Sequence, residues 1–364
     1  TEFSCQIERL NTKKRAEEGV SYLNDKPFKI ISYEQKEGKE GNPRLYDLTS
    51  LQVDANKKFG YSAEDTLKTV QNLYEKKLVS YPRVDTTYLS EDLHAKVPGI
   101  LSKLKNYGSF TESILATPIK KSKSIFNNKK ITDHHAIIPT GEIAQGLQGS
   151  ELSIYDLICR RFIAVFYPPC IVSNTTIMGK VDQLDFKTTG KQIIEPGWRK
   201  VYSENDSKDT KEPNDNVLPL FEKGEEGPHE PFFHEGKTSP PKQYTEATLL
   251  RSMETAGKYV EDEEMREVMK ENGIGRPSTR ANIIETLFKR NYIERKKKNI
   301  QATPLGIELI ATIQNDLLKS PELTGQWEYK LRQIEKGFYT AQEFKSELYQ
   351  MIRQLTDEVI FGKG

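Results

Sequence analysis

Residues 73–85 read LYEKKLVSYPRVD, and the change of period inside this stretch decides how the chain is built. Upstream, Leu67, Val70, Leu73, Tyr74 and Leu78 recur at helical spacing, and Ser62 with Asp65 three residues later has the form of a helix cap. The spacing predicts a helix from about Ala63 to Lys77. It feeds an extended piece, Leu78 to Tyr81, because Pro82 forces the residue before it out of the helical region. Tyr81 is therefore placed where a strand or turn leaves a packed helix. Just before, Leu48, Leu51, Val53 and Ala55 predict another helix from Asp47, stopped at Phe59 and Gly60.

The same unit recurs 214 positions later, where Leu287, Phe288, Lys289, Arg290, Asn291, Tyr292 and Ile293 stand for Leu73 to Val79, and Ile284 for Val70. Both copies read helix, helix, strand. The second runs on through a basic hairpin-like segment, ERKKKNIQATP, into a helix beginning near Pro304, which is the order of a winged helix-turn-helix. Such units favour DNA contact, although they also serve as plain scaffolds. Between the copies, IVSNTTIMGKV, LDFKTTGKQII and WRKVY alternate as strands. Residues 1 to about 48 predict short strands joined by a mobile Lys/Glu/Gly loop, QKEGKEGNPR, and the stretch after Trp327 has long helical periodicity.

At 364 residues, 35% hydrophobic and 29% charged, the chain is long enough for several subdomains. No run approaches the roughly 20 apolar residues of a membrane helix, so no membrane role is expected. The first residues show neither an initiator Met nor a signal pattern, and the chain reads as a piece of something longer. Cys5, Cys159 and Cys170 lie far apart without metal-site spacing and read as reduced cytoplasmic thiols. Lys plus Arg, 54, nearly cancels Asp plus Glu, 53. The charges are segregated all the same: Lys120, Lys121, Lys123, Lys129 and Lys130 form one basic run, Lys289 to Lys298 another, and acids gather at 204–215 and 222–235.

Three short segments carry candidate chemistry. In Ser80-Tyr81-Pro82-Arg83-Val84-Asp85, a phenol with a pKa near 10 costs about 4 kcal/mol to ionise at pH 7, at roughly 1.36 kcal/mol per unit. A guanidinium two residues along an extended segment projects to the same side, where it stabilises phenolate character or grips a phosphate, and Asp85 is placed to orient it. Alone, Tyr-x-Arg is a weak signal in a chain with 17 tyrosines. In Asp133-His134-His135-Ala136, an imidazole donating to a phosphate oxygen is more economical than a metal site, since neighbours rarely ligate one ion; a solvent-facing pair is the plain alternative. In Gly273-Ile274-Gly275-Arg276-Pro277-Ser278-Thr279-Arg280, amides and hydroxyls opening a helix form an anion site to which Arg276 and Arg280 add charge. It is neither a Walker A loop nor a dinucleotide fingerprint.

Ser80 to Arg83, Asp133 to Thr140, Pro240 to Leu249 and Gly273 to Ala281, in this order, resemble the motifs of type IA DNA topoisomerases, in particular the bacterial topoisomerase III group. The resemblance runs from about Asp47 onward. It implies that Tyr81 attacks the DNA backbone to form a 5′-phosphotyrosyl link, that Arg83 and His134 contact the scissile phosphate, that His135 follows the topoisomerase III pattern, and that Arg276 and Thr279 contact nucleotide phosphates. Ser278, Arg280, His135 and Asp85 join the expected DNA-binding set. Val84 departs from the Thr or Ser of many relatives. The family's Toprim domain, with its Glu, Lys and magnesium site, is not found in the sequence. The expectation is thus Mg2+ bound by the absent Toprim domain and none by these residues, with single-stranded DNA bound but full activity lacking.

The implied fold is an α+β multidomain, toroidal body: an arch segment at 1–47, a winged-helix-like cap at 48–168, a second β-rich arch segment at 169–235 and a helical base at 236–364. The implied partners are single-stranded segments of underwound or catenated DNA and the missing Toprim domain, and the implied location is a bacterial cytoplasm, at the nucleoid. A non-catalytic winged-helix DNA-binding protein is the rival, and it gives no reason for Tyr81, Arg83 and His134 to coexist. A tyrosine recombinase predicts an Arg-His-x-x-Arg motif, which is not found.

Overall fold

The computed structural model describes residues 3–7, 10–131, 133–202, 217–260 and 263–361. Thr132 and the acidic stretch at 204–215 therefore lie outside the described residues. The chain divides into one unit of 1–44, 107–119 and 160–241 and another of 45–106, 120–159 and 242–364. Residues 107–119, expected in the cap, count with the first unit, and the expected cap and base segments share the second.

The first unit is a four-stranded antiparallel sheet. Strand β1 (Phe28–Glu40) pairs with β2 (Cys170–Val181) on one edge and with the short β4 (Glu226–Gly227) on the other, and β2 pairs in turn with β3 (Leu184–Glu195). The alternation predicted β2 and β3. It did not predict that the Lys/Glu/Gly segment is strand: Gln35 to Glu40 pair with Thr175 to Cys170. The reason is non-local: the backbone groups of this polar segment are satisfied by pairing with β2, far away in sequence. WRKVY is a 3-10 turn (Gly197–Val201) rather than a strand. Gly197 takes φ of 50°, and a Cβ there would fall 2.4 Å from the Pro169 carbonyl oxygen. Helix α1 (Lys13–Leu23) was not foreseen because it is strongly polar and buries Leu23 alone. Helix α5 (Gly108–Leu115) buries Phe110 and Ile114.

The second unit carries the repeat. Helix α2 (Leu48–Phe59) starts at Asp47, whose side chain accepts from the Ser50 N–H at 2.7 Å, and stops at Gly60 with φ of 73°. Helix α3 (Ala63–Glu75) starts at Ser62, whose hydroxyl accepts from the Asp65 N–H at 3.0 Å. Further on come α4 (Val97–Lys103), α6 (Gly149–Ala164), α7 (Glu246–Glu254), α8 (Glu263–Asn272) and α9 (Pro277–Lys289). The hairpin β5 (Ile293–Lys296) and β6 (Asn299–Ala302) then leads to α10 (Pro304–Thr312), α11 (Glu322–Glu335) and α12 (Ala341–Phe361). Val53 and Ala63 share one core with Ala247, Leu250, Met253, Ala281 and Ile284. No helix of the described residues is long and apolar enough to cross a membrane.

The two copies match down to single hydrogen bonds. Lys77 and Asn291, equivalent in the repeat, both adopt a left-handed conformation, with φ of 61° and 56°. Leu78 N–H donates to Leu73 O and Tyr292 N–H to Leu287 O, each at 3.0 Å. Thr140 and Thr303 close the two turns by donating N–H to Leu78 O and Tyr292 O, again at 3.0 Å. Val79 then pairs with Pro139 as Ile293 pairs with Ala302. In the second copy the strands turn at once into a tight hairpin. In the first, residues 81–138 are inserted at that place, and Tyr81 stands where the hairpin has Arg295.

Candidate active site

Tyr81 is held from behind by its neighbour. Ser80 N–H donates to Ile138 O at 2.9 Å, the Ser80 hydroxyl donates to Ala136 O at 3.0 Å, and Ile138 N–H donates back to the hydroxyl at 2.9 Å. This strap fixes the histidine segment, about fifty residues away in sequence, against the tyrosine segment. Ala136 N–H to Tyr88 O at 2.9 Å and Leu48 N–H to Val84 O at 3.1 Å extend it. Downstream the burial alternates: Pro82, Val84 and Thr86 are buried, Tyr81 is half-buried, and Arg83 and Asp85 are exposed. Tyr81, Arg83 and Asp85 thus share the outward side of an extended segment.

The rings converge. Tyr81 and His134 stack with centroids 4.4 Å apart and planes inclined at 39°, and His134 is exposed. On another side Tyr74 meets Tyr81 edge-on at 5.5 Å and 81°. A phenol backed by an imidazole, with a guanidinium on the same open face, is an arrangement that can receive a phosphate diester. The roles of Ser80 and Tyr74 were not assigned from sequence. The signal for Tyr74 was its place on the last turn of α3, seven residues before Tyr81.

His135 differs from His134. It is half-buried, and its Nδ1 donates to Ala136 O at 2.8 Å, which leaves Nε2 as a lone pair in the neutral ring. Burial lowers its pKa, opposed by the bond to Ala136 and by Asp92. Neutral, it offers a phosphate no second N–H. Because the folded state holds this proton less tightly than the unfolded chain, the stability it contributes is present above its unfolded pKa of about 6.5 and lost as pH falls. Unfolding midpoints at about pH 7.5 and pH 5.5 should therefore drop further on acidification in the natural protein than in His135→Gln. Equal drops would remove His135 from the account.

The glycine loop opens α9. Gly273 and Gly275 have φ of 64° and 68°, and a Cβ on Gly273 would come 2.2 Å from the Met253 carbonyl oxygen. Arg276 sits at the cap, its N–H donating to the Thr279 hydroxyl at 3.0 Å. Arg276 and Thr279 are exposed and Ser278 is half-buried, around the amides of a helix start. Arg280 departs from the expectation of a DNA contact. It is 2% exposed, with Nε donating to Ile274 O at 3.2 Å and Nη1 to the Thr49 hydroxyl at 2.8 Å. Burial pulls its pKa down, while Glu254 and Asp47 act the other way. It props the loop from inside.

Tyr81 and His134 are in direct ring contact, Arg83 and Asp85 follow Tyr81 on the exposed side of its segment, and Arg276, Ser278 and Thr279 gather at the start of α9. Of the basic runs, Lys120, Lys123, Lys129 and Lys130 are exposed, whereas Lys121 pairs with Glu91 at 2.9 Å. Arg295 is spent internally on Glu246 at 2.8 Å and Glu285 at 2.5 Å. Among the described residues no group of three or more His, Cys, Asp or Glu is arranged to hold a metal ion.

Known proteins resemble the chain over most of its length. The profile of a family described as DNA topoisomerase matches residues 2–346. The chain is 37% identical over 362 residues to DNA topoisomerase 3 of Bacillus cereus, covering 96% of this chain and 50% of that protein. It is 39% identical over 349 residues to DNA topoisomerase 3 of Bacillus licheniformis, covering 93% and 48%. The chain thus spans about half the length of the curated relatives it matches. Full-length topoisomerase I from Thermotoga maritima superposes with a TM-score of 0.70 at 23% identity, over 96% of this chain and 56% of that one, which speaks for the fold alone.

Proposed function

The chain belongs to the type IA DNA topoisomerase family, in its topoisomerase III-like part, and from that premise we propose that it is the strand-cleaving body of an ATP-independent enzyme with Tyr81 as the nucleophile. The Tyr81 phenol oxygen attacks phosphorus in a DNA strand, a 5′-phosphotyrosyl ester forms, and the 3′ oxygen leaves with a proton. The free hydroxyl later reverses the step, so one ester is exchanged for another and no ATP is needed. Arg83 and His134 position and neutralise the phosphate, with Asp85 orienting Arg83. The ring stack of Tyr81 on His134, with Arg83 on the same outward side, carries this reading.

The finer architecture belongs to the same proposal. Segments 1–47 and 169–235 form the arch, 48–168 a winged-helix-like cap and 236–364 a helical base with a winged-helix-like unit, together most of a ring that opens by a hinge after cleavage. The complete enzyme uses Mg2+ on a Toprim domain outside this sequence, works on single-stranded segments of underwound or catenated bacterial DNA in the cytoplasm, and passes a strand before resealing. These residues alone bind single-stranded DNA without completing the cycle.

The deciding experiment traps a covalent protein–DNA adduct by denaturation, with the Toprim domain supplied in trans. An adduct is expected, and its absence under conditions where DNA binds would leave only a winged-helix DNA-binding protein. Arg276 gives a second test. Arg276→Ala is expected to weaken single-stranded DNA binding across sequences and to reduce the slope of log K against log salt by about 0.7, the value for one phosphate contact on a single strand. An unchanged slope would take Arg276 off the DNA.

A further inference from the structure

Two observations meet at Tyr74. It lies on the last turn of α3 and presents an edge-on contact to the Tyr81 ring at 5.5 Å, opposite in kind to the 4.4 Å stack that His134 makes on the same ring. The second copy of the repeat builds the same pair with other chemistry. Phe288 stands where Tyr74 stands, Arg295 where Tyr81 stands, and the Arg295 guanidinium lies over the Phe288 ring at 3.7 Å. In both copies the aromatic on the helix and the residue beyond the left-handed turn are brought together by one backbone pattern. In the second copy that contact is locked by Glu246 and Glu285. In the first it is left open, with Tyr74 39% exposed and Tyr81 half-buried.

We propose that Tyr74 is a positioning residue for the nucleophile: its ring is a wall that, with His134, confines the Tyr81 phenol to the orientation required for in-line attack. The inference rests on Tyr81 being the nucleophile. A phenol has free rotation about its two side-chain torsions unless neighbours remove it, and no hydrogen bond to the Tyr81 hydroxyl fixes it among the described residues. Ring contacts are then what hold it, and such pairs prefer the edge-on geometry seen here. Position 74 requires an aromatic ring rather than a hydroxyl, because Phe288 does the corresponding work without one.

The test uses the complete enzyme with Tyr74→Phe and Tyr74→Leu, measuring single-turnover adduct formation on a single-stranded oligonucleotide beside its dissociation constant and the melting temperature. Tyr74→Phe should stay within about threefold of the natural rate. Tyr74→Leu should form adducts about 10- to 100-fold more slowly, the scale of a small misplacement of a reacting group, with binding and melting temperature unchanged. Equal rates for Leu and the natural protein would overturn the proposal, as would a Phe variant as slow as Leu. A Leu loss that merely follows lost affinity or melting would overturn it too. Should Leu prevent folding, Tyr74→Gln at this partly exposed site decides on the same criteria. Tyr81→Phe runs alongside: adducts persisting there would sink the nucleophile reading itself, a failure distinct from any at position 74.

Discussion

Tyr81→Phe is expected to abolish covalent adducts with single-stranded DNA while leaving affinity within about twofold. The substitution removes one oxygen and keeps the ring, so the contacts with His134 and Tyr74 persist. Folding is untouched for the same reason: the backbone at this point is held by Ser80, not by the phenol. The loss should be complete within detection because no neighbouring group can replace the bond that the phenol oxygen makes to phosphorus. A denaturing gel of protein cross-linked to end-labelled DNA reads it directly. Adducts at an unchanged level would place the nucleophile on another residue, whereas loss of binding together with adducts would mean that the hydroxyl serves the DNA rather than the reaction.

Much of this was legible before any coordinates, and the reason is local. Ser62, Asp47 and Gly60 announce helix ends through chemistry confined to a turn, and the helices begin and stop there. The repeat was visible because Val70, Leu73 and Val79 recur as Ile284, Leu287 and Ile293 around the left-handed turn at Lys77 and Asn291. What escaped were features decided at long range. Gln35 to Glu40 look like a loop, yet pairing with β2 makes them strand. The segments around Tyr81 and His134 lie about fifty residues apart, and only the Ser80 strap explains why they meet. Arg295 reads as one more cation in a basic run until Glu246 and Glu285 are seen beside it.

Arg280 and Arg276 sharpen that lesson into an experiment, since the two lie four apart at the start of one helix and sequence assigns both to DNA. Arg280→Met should destabilise the protein by about 3–5 kcal/mol, the cost of removing one member of a buried charged network. Its guanidinium is the donor for both the Thr49 hydroxyl and the Ile274 carbonyl, and it sits in the fields of Asp47 and Glu254. Met retains the unbranched apolar stem, so most of the loss reports the polar bonds of the guanidinium. The variant should also respond to pH. Burial already raises the Asp47 pKa, so the folded state holds that proton more tightly than the unfolded chain. The stability this contributes is present below the unfolded pKa and lost as pH rises through the folded one. Without the cation the folded value moves higher, and urea unfolding should show a steeper fall from acid toward neutral pH than in the natural protein. Arg276→Ala, on the exposed cap, should leave unfolding unchanged within about 0.5 kcal/mol, as surface substitutions do, while weakening DNA binding. If Arg280→Met unfolded like the natural protein and bound DNA less well, the inward guanidinium would be the wrong account of the loop, and both arginines would belong to the nucleic-acid surface.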